Sequence, residues 1–435
     1  MTEIDYCSNK MLQINCGFTK RWAELREHEK QSRLIVSPKR FIVLPCGRRS
    51  GKTEIGKRKL VQHLAFDFFI NKLPWDDCRY FAAAPTRDQA KRIYWNDLKA
   101  MVPDAWVKRK YDGDLCIVTK WGSELWVLGL DKPARIEGTP WNGGVLDEYA
   151  NMKQEAWKEN VRPALSDRRG WCWLIGVPEG RNHYFLLWQK AISGLDPEWG
   201  GFTWKSSEIL AAEEIEAAKR DLDERTYLQE YEGDFVEQAG IAYYAFNRLV
   251  NVRPVSAPKL NRKERTVINV GMDFNVAKMC ACFADLNLQV FGELALRNSN
   301  TPEMAKAINE KFPSGDYRVV VWPDATGKNR DSTSSKTDHQ ILRDIGFEVM
   351  TRNSNPLVKD RVNTTNSVFK NAAGEIWTYV DPSCRELIED CELVVWKNGD
   401  LDGSDKERTH MSDAFGYMTY GVKPMLGGGS RGIQY

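Results

Sequence analysis

The chain has almost no net charge: 62 Lys and Arg stand against 60 Asp and Glu over 435 residues, a formal +2. That balance excludes indiscriminate, charge-driven adhesion to nucleic acid and leaves open only a local basic groove. Cysteine pairs of the C-x-x-C kind are missing too. The ten cysteines are scattered, and the nearest two, Cys280 and Cys282, have the alternate-residue spacing of a strand rather than the C-x-x-C of a zinc site. They read as reduced packing residues of a cytosolic protein. No segment approaches the roughly 20 apolar residues of a membrane span, and the opening "MTEIDYCSNKMLQ" has neither a basic head nor an apolar run. A soluble, intracellular protein with no membrane partner is therefore expected. No internal repeat is visible, and the 16 tryptophans are dispersed through apolar segments, as core and rim residues are, rather than gathered into a base-stacking platform.

What is present is length and pattern. A chain of 435 residues exceeds the usual size of a single hydrophobic core, so two domains are expected. From Arg40 to Val177 short apolar runs alternate with helical segments, the pattern of a parallel sheet wrapped by helices. The runs "RFIVLPCG", "YFAAAPT", "GGVLDEYA" and "WCWLIGVPEG" each end in small, turn-forming or acidic residues, and ligands gather at the carboxyl ends of such strands. A charged, amphipathic stretch, "SSEILAAEEIEAAKRDLDERTYLQEYEGDF", suggests a small helical lid or linker subdomain at about 180–238, closing a first domain at 1–238. The proline- and base-rich "NVRPVSAPKLNRKERT" places an interdomain linker at 239–264. Beyond it, "TVINVGMDFNVAKMCACFADLNLQVFGELAL" reads as a three-strand meander, with helix, strand, helix and strand after it. The expectation for 265–422 is a mixed sheet covered by helices, with a glycine-rich, mobile tail at 423–435.

The stretch "LPCGRRSGKTEIGKR" carries the first chemistry. In a phosphate-binding loop, backbone N–H groups and a helix N-terminus cradle the anion, a lysine meets the β and γ phosphates and a hydroxyl holds magnesium. Gly47, Ser50, Gly51, Lys52 and Thr53 fit such a loop between an apolar strand and a helix. The strict motif wants glycine at position 46, which is Cys46 here, with Gly47 beside it. A chance "SGKT" at a helix start is the plain alternative. It loses because "GGVLDEYA", about a hundred residues downstream, ends an apolar run in two adjacent acids, one for the metal and one for the attacking water. Asp147 is assigned to magnesium and Glu148 to the general base. Arg48 and Arg49, inside the loop, are candidates for neutralising charge on the γ phosphate, the alternative being that they face solvent or DNA.

Three later acids stand out by placement. Asp273 ends or interrupts a strand in "VGMDFN", Asp324 ends "VVVWPDATG", and Asp413 lies in the helical "THMSDAFGYMTYG". Carboxylates from two strand ends and a helix can converge on a pair of Mg2+ or Mn2+ ions about 4 Å apart and clamp a phosphodiester, which is nuclease chemistry. Strand-end capping is the alternative. His410 shares the face of Asp413 one turn away, more often a structural position than a functional one. Asp331, Asp338 and His339 fall in a polar loop read as a solvated connection, whose Lys328, Arg330 and Lys336 suit a DNA backbone equally well.

A nucleotide loop combined with a two-metal nuclease resembles the large terminase subunit of tailed double-stranded DNA bacteriophages. The likeness covers nearly the whole chain, at "GRRSGKT", "AAAPTRDQAKRIYW", "RIEGTPWNGGVLDEYANM", "GVPEGRNHYFLLW", "YLQEYEGDFVEQAGIAYYAF" and "HMSDAFGYMTYG". It implies a P-loop ATPase domain of the ASCE, RecA-like type joined to a ribonuclease H-like nuclease domain, with Lys52 and Thr53 on phosphate and magnesium, Asp147 and Glu148 in the Walker B roles, and Asp273, Asp324 and Asp413 as the nuclease triad. One departure is that Gly176 and Val177 precede Pro178 where the family's coupling motif has a hydroxyl residue, which leaves Asn182 as a stand-in for sensing the γ phosphate. Members of the family pump double-stranded DNA into an empty capsid and cut concatemers. The resemblance thus implies ATP with Mg2+, two divalent ions at the nuclease, a portal protein, a small terminase subunit and a homo-oligomeric ring, typically of five, with a monomer in isolation. It also implies a place in the host cytoplasm, transiently at the portal vertex, and absence from the mature virion. The rival readings are a helicase- or translocase-type DNA-repair nuclease, a transposase-type nuclease, and an ATP-binding assembly protein whose nuclease domain is inactive.

Overall fold

The computed structural model describes residues 28–237, 239–261, 264–275, 277–328, 336–405 and 407–426. Arg330 and Asp331, and the tail from 427 onward, lie outside the described residues. The chain divides into two compact units, Met1–Ile215 with Leu228–Glu237 and Glu216–Tyr227 with Gln238–Tyr435.

The first unit is built on eight strands: β1 (Phe41–Pro45), β2 (Arg79–Ala84), β3 (Val107–Tyr111), β4 (Cys116–Thr119), β5 (Glu124–Gly129), β6 (Gly143–Leu146), β7 (Trp171–Gly176) and β8 (Trp199–Gly201). They form one sheet in the order β3-β4-β5-β2-β6-β7-β1-β8. The four apolar runs picked from the sequence are β2, β6, β7 and β1, consecutive and parallel in the sheet centre. Their residues are buried almost without a break, because helices cover both faces. Alternation along β1 shows this directly. Ile42 and Leu44 join a core with Ile55, Leu60 and Leu64 of the Lys52–Phe69 helix, whereas Phe41 and Val43 join Leu146, Leu174, Trp157 and Tyr184 on the other face. The antiparallel extension through β3, β4 and β5 was not anticipated; β5 keeps every second side chain half-exposed, the period-2 mark of a strand covered on one face.

The second unit contains β9 (Thr266–Asp273), β10 (Lys278–Ala284), β11 (Val290–Arg297), β12 (Tyr317–Pro323) and β13 (Glu348–Val349), in the order β11-β10-β9-β12-β13. The expected meander is there: β9, β10 and β11 pair antiparallel, and β12 adds parallel to β9. One face packs Met304, Ile308 and Leu342 against Ile268, Val270 and Met272. The other packs the helices Val358–Phe369, Arg385–Leu393 and His410–Leu426, with Cys280 and Cys282 both facing it, as their spacing requires. Among the described residues all eight cysteines are free and buried, and no helix is long and apolar enough to cross a membrane.

Residues 216–227, inside the stretch expected as a lid, count with the second unit. Asn371 Nδ2 donates to the Arg220 carbonyl at 2.9 Å and the Ala372 N–H to the Leu222 carbonyl at 2.8 Å.

Candidate functional site

The loop between β1 and the Lys52–Phe69 helix is fixed by its surroundings before any ligand is considered. Gly51 is the N-cap with φ 82°, a left-handed conformation that glycine adopts without penalty. A Cβ on Gly47 would overlap the Tyr231 carbonyl oxygen and Ser206 Oγ, so the glycine displaced by one position from the strict motif is sterically demanded where it stands. Trp204 Nε1 donates to the Ser50 carbonyl at 2.7 Å, Ser206 Oγ to the Arg48 carbonyl at 2.6 Å, and the Gly47 N–H to the Trp204 carbonyl at 3.2 Å. Ser50 is fully buried, and its hydroxyl finds no partner among the described residues.

Lys52 is buried and folds back over the loop, Nζ to the Gly47 carbonyl at 3.3 Å. Thr53 Oγ1 donates to Asp147 Oδ2 at 2.8 Å, which ties the start of the helix to the end of β6. Tyr94 OH donates to the same oxygen at 2.9 Å, and Asp147 Oδ1 accepts from the Glu148 N–H at 2.9 Å. Glu148 has φ 53°, a left-handed backbone that costs a non-glycine residue roughly 1 kcal/mol or more. Burial and the neighbouring Asp147 push its carboxyl above the usual carboxylate range, against the pull of Lys52 and Arg48. Lys52, Thr53, Asp147 and Glu148 are thus brought to one place. Both arginines are exposed, but Arg48 Nε pairs with Glu230 Oε2 at 2.7 Å and lies within electrostatic reach of Glu148, whereas Arg49 has φ 58°. Asn182 is the N-cap of the His183–Ile192 helix, accepting from the Tyr184 N–H at 2.9 Å and donating to the Ala150 carbonyl at 3.0 Å.

Tyr94, Ser206 and Glu230 escaped the sequence reading. Each sits in a segment whose local pattern is only that of an amphipathic helix or a loop; Ser206 and Glu230 meet the loop, and Tyr94 meets Asp147, by tertiary contact.

The second group of acids is assembled by the other sheet. Asp273 is the last residue of β9, and Asp324 comes directly after β12; the Asp324 N–H donates to the Met272 carbonyl at 3.1 Å across these parallel neighbours. Asp413 lies in the first turn of the His410–Leu426 helix, which crosses β9 where a Cβ on Gly271 would overlap the Ala414 carbonyl oxygen. Each carboxylate has a protein partner. Asp273 Oδ2 lies 3.0 Å from His410 Nδ1, Asp324 Oδ1 accepts from Asn355 Nδ2 and the Thr326 N–H at 2.7 Å each, and Asp413 Oδ1 accepts from Arg361 Nη2 at 2.6 Å. Burial pushes the Asp413 carboxyl up to about 7, with Arg361 opposing and Asp273 adding to the rise.

The three acids therefore share one end of the sheet. Among the described residues, though, no three His, Cys, Asp or Glu side chains stand close enough together to hold a metal ion as they are now turned. Hard oxygen donors of this kind suit Mg2+ or Mn2+. His339, expected in a solvated loop, is instead buried in the Asp338–Asp344 helix, with Nε2 3.0 Å from the Asp324 carbonyl oxygen.

An α/β unit with a glycine-lined helix start facing two acids thus stands in one chain with a mixed-sheet unit carrying three more. Known proteins resemble this chain in sequence and in fold. The chain is 24% identical over 353 residues to the terminase large subunit of Thermus phage G20c, covering 68% of this chain and 69% of that protein, and 23% identical over the same length to that of Thermus virus P23-45. Its fold is that of the large terminase of a thermophilic bacteriophage, with a TM-score of 0.60 and 18% identity over 92% of this chain and 100% of that one. The same phage terminase has also been solved in complex with ADP and with ATP-gamma-S. No family model matches the chain.

Proposed function

We propose that this chain is the ATPase and nuclease of a viral DNA-packaging motor, cutting concatemeric DNA and driving double-stranded DNA through a portal into a procapsid. The observation that carries the reading is the Thr53–Asp147 hydrogen bond, which joins the loop helix to the acid pair with β7 between the two strands. That arrangement suits an ATPase of the ASCE, RecA-like type in the first unit. The meander with its parallel fourth strand suits a ribonuclease H-like nuclease at 265–422.

Magnesium-bound ATP supplies the anhydride and its counter-ion. Lys52 and the loop N–H groups would hold the phosphates, Thr53 and Asp147 would hold the ion, and Glu148 would accept a proton from the attacking water. The left-handed turn at Glu148 and its buried, raised carboxyl favour that base role. Arg48, held by Glu230 and close enough to feel Glu148, is the better placed of the two arginines to meet developing charge. In the second unit Asp273, Asp324 and Asp413 would hold two Mg2+ or Mn2+ ions, once turned from their present partners. The protein works in the host cytoplasm as a homo-oligomeric ring, with a small terminase subunit choosing the DNA.

Crossed variants test the two centres. Lys52→Ala abolishes ATP turnover and spares plasmid cutting with Mn2+; Asp273→Ala does the reverse. Turnover surviving in the first removes the loop assignment, and cutting surviving in the second removes the nuclease. A helicase needs a second motor-like domain, and the meander sheet ending in aspartates speaks against it.

A further inference from the structure

Arg361 stands outside every role assigned above. It lies in the Val358–Phe369 helix with a side chain only 5% exposed, and it donates from Nη2 to Asp413 Oδ1 at 2.6 Å. Its guanidinium carbon is 4.5 Å from the centre of the Tyr417 ring, and its Nε has no partner among the described residues. The path to Asp413 is opened by a glycine: a Cβ on Gly416 would come within 2.8 Å of Arg361 Cγ and 2.9 Å of Cδ. The guanidinium is charged at every accessible pH, and it lies within electrostatic reach of Asp273 as well as Asp413. A fixed cation so placed lets carboxylates crowd together, and it also repels any further cation that enters between them.

We propose that Arg361 is a resident cation of the carboxylate centre, occupying Asp413 in the free chain so that a divalent ion must enter against its charge. The inference rests on the nuclease reading of Asp273, Asp324 and Asp413. It accounts for the Asp413 carboxylate being turned onto Arg361. Arg361 is a positioning residue in this account, acting through Asp413.

The test is Mn2+ titration of the full chain without nucleotide or DNA, by calorimetry, with electron paramagnetic resonance counting bound ions. Arg361→Met is expected to bind Mn2+ about tenfold tighter than wild type, and Arg361→Lys, which keeps the charge, within about threefold of wild type. Gly416→Ala pushes the arginine stem aside without changing any charge, and it is expected to tighten binding as Arg361→Met does. Equal or weaker binding by Arg361→Met overturns the proposal. So does tightening by Arg361→Lys as large as that of the methionine variant. Should circular dichroism show Arg361→Met unfolded, unchanged affinity in Gly416→Ala overturns it instead. Asp273→Asn and Asp413→Asn separate the two layers. If both lose Mn2+ while Arg361→Met is unchanged, only the role of Arg361 falls; if both bind as wild type does, the nuclease centre itself falls.

Discussion

Asp147 accepts three hydrogen bonds, from Thr53, Tyr94 and the Glu148 N–H, and Tyr94 alone of these lies outside the two motifs. Tyr94→Phe removes one of them, and a destabilisation of about 1 kcal/mol in denaturant unfolding is expected, because the carboxylate keeps two partners. Glu148→Gln should lower ATP turnover by about 10²-fold or more with nucleotide binding retained, measured as kcat beside a binding titration. The pH dependence has a definite sign. A base must be deprotonated, and burial with Asp147 raises the Glu148 carboxyl, so kcat should fall on acidification at a pH above the ordinary glutamate value of about 4.3. An acid limb at or below that value contradicts the base role. The thiols give a further readout: burial pushes Cys46, Cys116 and Cys384 up to about 12, so these three should stay unmodified by a thiol reagent until the chain unfolds.

At the scale of elements, two glycines decide how close the parts of each centre come. Gly47 lets the loop after β1 lie against Tyr231 and Ser206, and Gly271 lets the His410–Leu426 helix lie on β9. Gly271→Ala sets a methyl against the Ala414 carbonyl, and the helix carrying Asp413 must shift away. A loss of about 1–3 kcal/mol in thermal unfolding is expected, with cutting lost and ATP turnover kept. Unchanged stability contradicts the close crossing. The strands of the first sheet centre could be read from their sequence because residues buried on both faces make unbroken apolar runs. The β3, β4 and β5 extension could not, since runs such as "VKRKY" are held by pairing across the sheet rather than by their own apolar content.

At the scale of the whole molecule, the chain does not change units at a single point. Residues 216–227 pack with the second unit although 228–237 return to the first. A fragment beginning at 216 should therefore melt higher than one beginning at 239, by about 4 °C or more, since the shorter one loses the partners of Asn371 and the Ala372 N–H. Equal melting temperatures count against that packing.

By itself the sequence determined which segments become β1, β6, β9 and β12, the strands that lead to Lys52, Asp147, Asp273 and Asp324, because period-2 and unbroken apolar runs, turn residues and strand-end acids are local signals. It determined the meander too, from "DFN" and "DLN" between apolar runs. Only the tertiary structure decided that Glu230 takes Arg48, that Ser206 joins the loop and Tyr94 joins Asp147, that His339 is buried, and that Arg361 reaches Asp413 beside Gly416. Those contacts join residues far apart in the chain, and a side chain's partner across such a distance is set by how helices cross sheets, which no local spacing records.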